Sequence, residues 1–126
     1  MQGWAKGITK IIRVPDLGAT PARVNRRTGV MEISLKHMKA MPVAHRLFVM
    51  LHEQAHVELQ TTDEVKADAY AFKKYADMGY SLKESVKALT KVLNENNPEH
   101  NWRMYLSLKR AEKYDLEYNG NKKFAK

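Results

Sequence analysis

Residues 46–56 read Arg46-Leu47-Phe48-Val49-Met50-Leu51-His52-Glu53-Gln54-Ala55-His56. The leading part is apolar, holds no helix breaker, and runs into two histidines four positions apart. On a helix, positions i and i+4 lie on one face, one turn apart. Both imidazoles can then grip a single metal ion, and the glutamate beside the first can act on a water. A buried helix with a metal site along its polar edge has this pattern. The plainer alternative is a surface helix with two incidental histidines.

Outward from this segment, Pro42 suits the first turn of the helix, which is expected to run to about Leu59. Gln60-Thr61-Thr62 breaks it. Thr61 and Glu64 stand at capping-box spacing, so a second helix is expected from there to about Met78, with Gly79 as its C-terminal cap. Ser81 and Glu84 repeat that spacing ahead of a third helix, Leu82 to Leu93. Asn94 to Asn97 reads as a loop. Pro98 opens a fourth helix ending near Tyr114. From Asn119 the chain is polar and basic, and a loose tail is expected.

Upstream the pattern changes. Ile8-Thr9-Lys10-Ile11-Ile12-Arg13-Val14 is β-branched and stopped by Pro15, as in a strand. Pro15 to Pro21 reads as a loop. Arg23-Val24-Asn25 and Val30-Met31-Glu32-Ile33-Ser34-Leu35 flank Arg26-Arg27-Thr28-Gly29, a hairpin signal with Gly29 free to adopt positive φ. Met31, Ile33 and Leu35 alternate with more polar positions, which marks one buried face. The expectation is a small α+β domain over residues 1–118, a short sheet followed by about four helices, with 119–126 as a basic tail.

Two histidines leave a zinc site short of a third protein ligand. The second helix offers one in Asp63-Glu64-Val65-Lys66-Ala67-Asp68. Glu64 and Asp68 are four apart and can face the first helix together. Glu64 is expected as the ligand. Asp68 would accept a hydrogen bond from the other ring nitrogen of a ligating histidine and fix its tautomer. Asp63 is a rival, turned about 100° around the helix. Glu64 also reads as an ordinary helix-start carboxylate, favoured by the helix dipole.

The 126 residues suit one domain with its own core. There is no cysteine, which excludes a disulfide framework, a zinc ribbon and any thiolate-ligated metal. No apolar run is long enough for a membrane span, and the first residues lack the apolar core of a signal peptide. A cytoplasmic or virion-associated protein is expected. The formal net charge is +8, with basic clusters at Arg23/Arg26/Arg27, Lys109/Arg110/Lys113 and Lys122/Lys123. Without a nucleic-acid motif, this charge reads as a solvated surface rather than a nucleic-acid site.

His52-Glu53-Gln54-Ala55-His56 followed by Glu64-Val65-Lys66-Ala67-Asp68 resembles the His-Glu-x-x-His and Glu-x-x-Ala-Asp pair of gluzincin metallopeptidases. This pair is seen in the CaaX-protease and HtpX-type group. Small phage-borne and ImmA/IrrE-type zinc peptidases are also similar. The first group often adds His-Pro and then Arg-Ile on a later helix; here Asn97-Pro98 and Arg103-Met104 stand at matching spacing, with Asn in place of His. The hairpin with Asn25, Thr28-Gly29 and Ile33 resembles the strand pair of small soluble members. The likeness spans about Asn25 to Leu108. The departures are Ala55, where Gly often precedes the second histidine, the very short interval between His56 and Glu64, and the absence of the HtpX-type membrane segments.

The resemblance implies a zincin-like domain that hydrolyses peptide bonds in a peptide or protein substrate. Zinc would sit on His52, His56 and Glu64, with Glu53 as general base. The strand Val30 to Leu35 would be the edge against which an extended peptide lies. A peptidoglycan amide is a variant that suits a basic surface. For the oxyanion, His100 and Arg103 are the candidates, with Tyr70 and Tyr105 behind them. His37 and His45 read as ordinary surface or helix residues. Trp4, Trp102, Tyr75, Tyr80 and Phe72 read as core or packing aromatics. The competing expectation is a structural or adaptor protein of a larger assembly, such as a phage particle, that keeps the zinc as a staple.

Overall fold

The structure, a computed structural model, describes residues 3–93, 97–118 and 120. The expected tail falls on residues outside these, save Gly120, and so do positions 94–96 of the expected loop. Three strands come first: β1 (Lys10–Val14), β2 (Ala22–Val24) and β3 (Val30–Ser34). Five helices follow: α1 (Leu35–Ala40), α2 (Val43–Glu58), α3 (Glu64–Asp77), α4 (Leu82–Val92) and α5 (Pro98–Tyr118). The fold is therefore α+β, with a small sheet ahead of a helical body and, among the described residues, five helices where about four were expected.

The sheet order is β1-β3-β2. β2 and β3 form the expected antiparallel hairpin, Arg23 opposite Glu32. β1 runs parallel to β3, Ile11 opposite Met31. β3 is thus the central strand with both edges paired, and it cannot take an added peptide strand. Among the described residues, β1 and β2 are the outer strands of the sheet. Gly29 closes the hairpin at φ 78°. A Cβ there would stand 2.5 Å from Gly7 O, so both backbone freedom and close approach require glycine.

The missed helix α1 starts directly from β3. Ser34 is its cap, accepting from the His37 amide at 3.3 Å. Leu35, expected on the buried face of the strand, is instead its first residue. Pro42 sits at the N-cap of α2 rather than inside its first turn. The α3 cap is Asp63, whose Oδ1 accepts from Val65 N and Lys66 N. Thr61 instead accepts from Asp63 N at 3.0 Å. Ser81 caps α4 as expected. Asn97 Oδ1 accepts from Glu99 N and His100 N at the start of α5, which runs a turn beyond Tyr114.

α2 stands between two cores. Val49 joins Ala22, Met31, Ile33 and Met38 under the sheet. Phe48 and Leu51 join Phe72, Tyr75, Leu82, Leu89 and Ala111 among the helices. This double burial explains the near-continuous apolar run before His52. Tyr75 and Phe72 are core aromatics, whereas Trp102 is 55% exposed and Tyr80 41%, so these two pack without entering the core. Trp102 stacks on Tyr105 at the surface and Tyr80 stacks on Tyr75.

The abrupt turn from α2 to α3 depends on Gln60, at φ 48°. The left-handed residue lets Thr61 N reach His56 O at 3.1 Å. The Gln60 side chain donates to Ala5 O at 2.7 Å and Arg26 O at 2.8 Å. Those bonds anchor a conformation that is costly for a residue with a side chain.

Candidate metal centre

Helical spacing puts His52 and His56 on one face of α2, and the tight turn folds α3 back across it. Three atoms converge. His56 Nε2 lies 3.1 Å from His52 Nε2 and 2.6 Å from Glu64 Oε1. His52 Nε2 lies 3.5 Å from the same oxygen. Donors around a tetrahedral zinc at about 2.0–2.1 Å would stand about 3.3 Å apart. These three side chains could hold a metal ion.

The outer ring nitrogens fit the same purpose. His56 Nδ1 faces Thr61 O at 2.8 Å, so it carries the hydrogen and leaves the Nε2 lone pair for the site. His52 Nδ1 lies 2.8 Å from Asp68 Oδ1, an ion-pair contact without the hydrogen-bond geometry expected from sequence. Asp63, the rival ligand, is committed to capping α3.

Behind His52 the charges are buried and paired. Asp68 is fully buried and Arg103 is 7% exposed. Arg103 donates from Nε to Asp68 Oδ2 at 2.7 Å and from Nη2 to Oδ1 at 2.8 Å. Its Nη1 reaches Glu64 Oε2 at 3.3 Å. Arg103 thus orients two carboxylates. Sequence singled it out for the oxyanion instead; the two-armed grip on Asp68 was not legible, because the partners lie 35 positions apart.

Burial works against a charged His52 ring, but Asp68 and Glu64 outweigh it and push its pKa up to about 9. Hydrogen bonds from His52 and His56 hold Glu64 far below the usual carboxylate range. Burial penalises the Asp68 carboxylate, yet Arg103 and His52 bring its pKa down. Glu53 behaves oppositely: burial raises its pKa despite the neighbouring cations. Its Oε2 stands 4.0 Å from His52 Nε2, beside the cluster.

His52, Glu53 and Glu64 line a cleft of about 210 Å³. Phe48, Val49, Leu89 and Leu93 supply its apolar wall, and the 19–22 segment leading into β2 lies along it. His100 lines it too, as does Arg103. The other oxyanion candidates lie elsewhere. Tyr70 donates its hydroxyl to Glu58, and Tyr105 is exposed and stacked on Trp102. His45 is 2% exposed rather than a surface residue, with Nε2 2.8 Å from Glu84 Oε2.

No helix among the described residues is long and apolar enough to cross a membrane. No family model, curated protein or solved structure matches the chain.

Proposed function

We propose that the protein is a small zincin-like metallopeptidase that hydrolyses amide bonds in a peptide substrate. The observation that carries the reading is Glu53, a carboxylate beside three convergent donors at the wall of an open cleft. An all-nitrogen-and-oxygen set, with the His56 tautomer fixed by Thr61 O and the Asp68 carboxylate beside the His52 ring, suits zinc. His52, His56 and Glu64 would hold it. Zinc supplies Lewis acidity, which lowers the pKa of a water and polarises a carbonyl.

The chain's own groups account for the remaining work. Glu53 accepts the proton of the attacking water, whose oxygen bonds to the amide carbon. It then delivers that proton to the leaving nitrogen as the C–N bond breaks. Asp68 and Arg103 keep the His52 ring in place. His100 lines the cleft where a substrate carbonyl would lie. An extended peptide would run along β2, whose outer edge is unpaired in the sheet and whose leading segment lines the cleft.

The test is the zinc content of the purified chain beside Glu64→Ala and Glu53→Gln. About one zinc per chain, weakened in Glu64→Ala and retained in Glu53→Gln, is expected. Hydrolysis of a peptide library should fall at least about a hundredfold in Glu53→Gln. Zinc bound with no hydrolysis sensitive to Glu53 would leave a structural metal and an adaptor role. No zinc in a folded protein would end the reading.

A further inference from the structure

Among the described residues, Gln60 is the one residue other than glycine with a positive φ, 48°. A side chain disfavours that region, so the surroundings must hold it there. The Gln60 side-chain nitrogen donates to two carbonyls, Ala5 O at 2.7 Å and Arg26 O at 2.8 Å. Both partners only accept, which fixes which end of the amide faces them.

Those two carbonyls belong to segments that are themselves clipped together. Ala5 N donates to Arg27 O at 2.9 Å, and Thr9 N donates to Gly29 O at 2.9 Å. The Arg26 guanidinium lies over the Trp4 ring, 5.5 Å from its centroid. Residues 4–9 are thus seated along the hairpin turn, and Gln60 bonds to the seated pair rather than to one segment alone.

On its other side Gln60 leads directly into the metal cluster. Thr61 N donates to His56 O at 3.1 Å, and Thr61 O accepts from His56 Nδ1 at 2.8 Å. The second bond turns His56 Nε2 toward the site. Thr62 and Asp63 then lead to Glu64, whose Oε1 lies 2.6 Å from His56 Nε2. One backbone conformation therefore sets the ring orientation of one donor and the approach of another. A swing of Gln60 toward the right-handed region would carry Thr61 O away from His56 and Glu64 away with α3.

We propose that Gln60 is a positioning residue for the metal site. It couples the seating of residues 4–9 on the hairpin to the geometry of His56 and Glu64, and so to metal affinity. The proposal rests on the reading that this cluster binds zinc. Gln60 acts through Thr61 and gives no atom to the metal. A glutamine with a merely structural role would change the stability of the fold and leave the affinity of the folded chain untouched.

The test compares variants of the full chain. Gln60→Glu keeps the shape but sets an acceptor against two carbonyl oxygens. Gln60→Gly accepts the positive φ and removes the anchor. Ala5→Pro removes the amide that donates to Arg27 O. Ser81→Ala, at the α4 cap, is the control for lost stability alone. Zinc affinity is read by competition with a chelator, donor geometry by the absorption spectrum of the cobalt-loaded chain, and the Thr61 amide by hydrogen exchange without metal. Loosening a group that orients a ligating histidine weakens binding about 10–100-fold. Zinc affinity should therefore fall at least about tenfold in Gln60→Glu and Ala5→Pro, with a changed cobalt spectrum, and fall less in Gln60→Gly. Ser81→Ala should keep wild-type affinity. Exchange at Thr61 should speed up at least about tenfold in Gln60→Glu. Circular dichroism checks folding, and Gln60→Gly decides if Gln60→Glu does not fold. Wild-type affinity in the folded Gln60 variants, unchanged exchange at Thr61, or a loss shared equally by Ser81→Ala would overturn the positioning role. Loss in the Gln60 variants without loss in Ala5→Pro would overturn the coupling to residues 4–9. A wild type that binds neither zinc nor cobalt ends the metal reading and this proposal together, whereas zinc bound alike by wild type and variants ends this proposal alone.

Discussion

Arg103 of α5 grips Asp68 of α3 with two arms of its guanidinium, and the same Asp68 Oδ1 stands 2.8 Å from His52 Nδ1 on α2. One buried carboxylate therefore links three helices to the metal cluster. Breaking such a pair strands a charge in a dry site, at a cost of about 3–5 kcal/mol. Arg103→Met should lose that much in urea denaturation, and adding Asp68→Leu should restore part of it. Wild-type stability in Arg103→Met would contradict the pair's structural role.

Asp68 should also govern metal affinity without touching the metal. Replacing the partner that orients a ligating histidine typically weakens binding about 10–100-fold. Asp68→Asn should show this in a competition titration with a zinc chelator, while Glu64→Ala should lose more. Equal affinity for Asp68→Asn and wild type would remove Asp68 from the site's design.

Gly29 tests the hairpin that sets β3 beside the helices. Positive φ in a residue with a Cβ costs about 1–3 kcal/mol, and here the added atom also meets Gly7 O at 2.5 Å. Gly29→Ala should destabilise by at least that amount. Asn tolerates positive φ but carries the same Cβ, so Gly29→Asn should not rescue stability. Full rescue by Asn would show that only the dihedral matters. Gly79→Asn is the control, since a Cβ at Gly79 meets nothing within 4 Å.

Tyr75 gives the fold an alkaline limit. Burial, then Glu84 and Tyr80, push its phenol from an ordinary 10.0 up to about 12. Between those values the folded chain binds more protons than the unfolded chain, so stability falls as pH rises from about 10 through about 12. Denaturation midpoints measured across that range should drop. Tyr75→Phe should flatten the drop, while losing the hydrogen bond to Ala44 O at neutral pH. An identical pH slope in the variant would place the effect on other groups.

Helix α2, the facing pair Glu64 and Asp68, the β2-β3 hairpin and the Gly79 cap were legible because each depends on neighbours within a few positions. Helical spacing alone brings His52 and His56 together, and capping chemistry marks where α4 begins. Asp63 displaced Thr61 as the α3 cap because the helix begins at Glu64, directly after Asp63, and the Thr61 hydroxyl instead accepts from Asp63 N.

By itself, the sequence determined a helix with two histidines on one face, a second helix offering carboxylates at matching spacing, and a strand pair ahead of them. Tertiary structure decided what those local patterns leave open. It placed β3 at the centre through parallel pairing with β1, converted Leu35 from strand to helix, buried His45 against Glu84, and committed Arg103 to Asp68. Apart from Leu35, whose helix starts on the local Ser34 cap, each of these depends on partners far apart in the chain, whereas periodicity reports only which face a residue shares with its near neighbours.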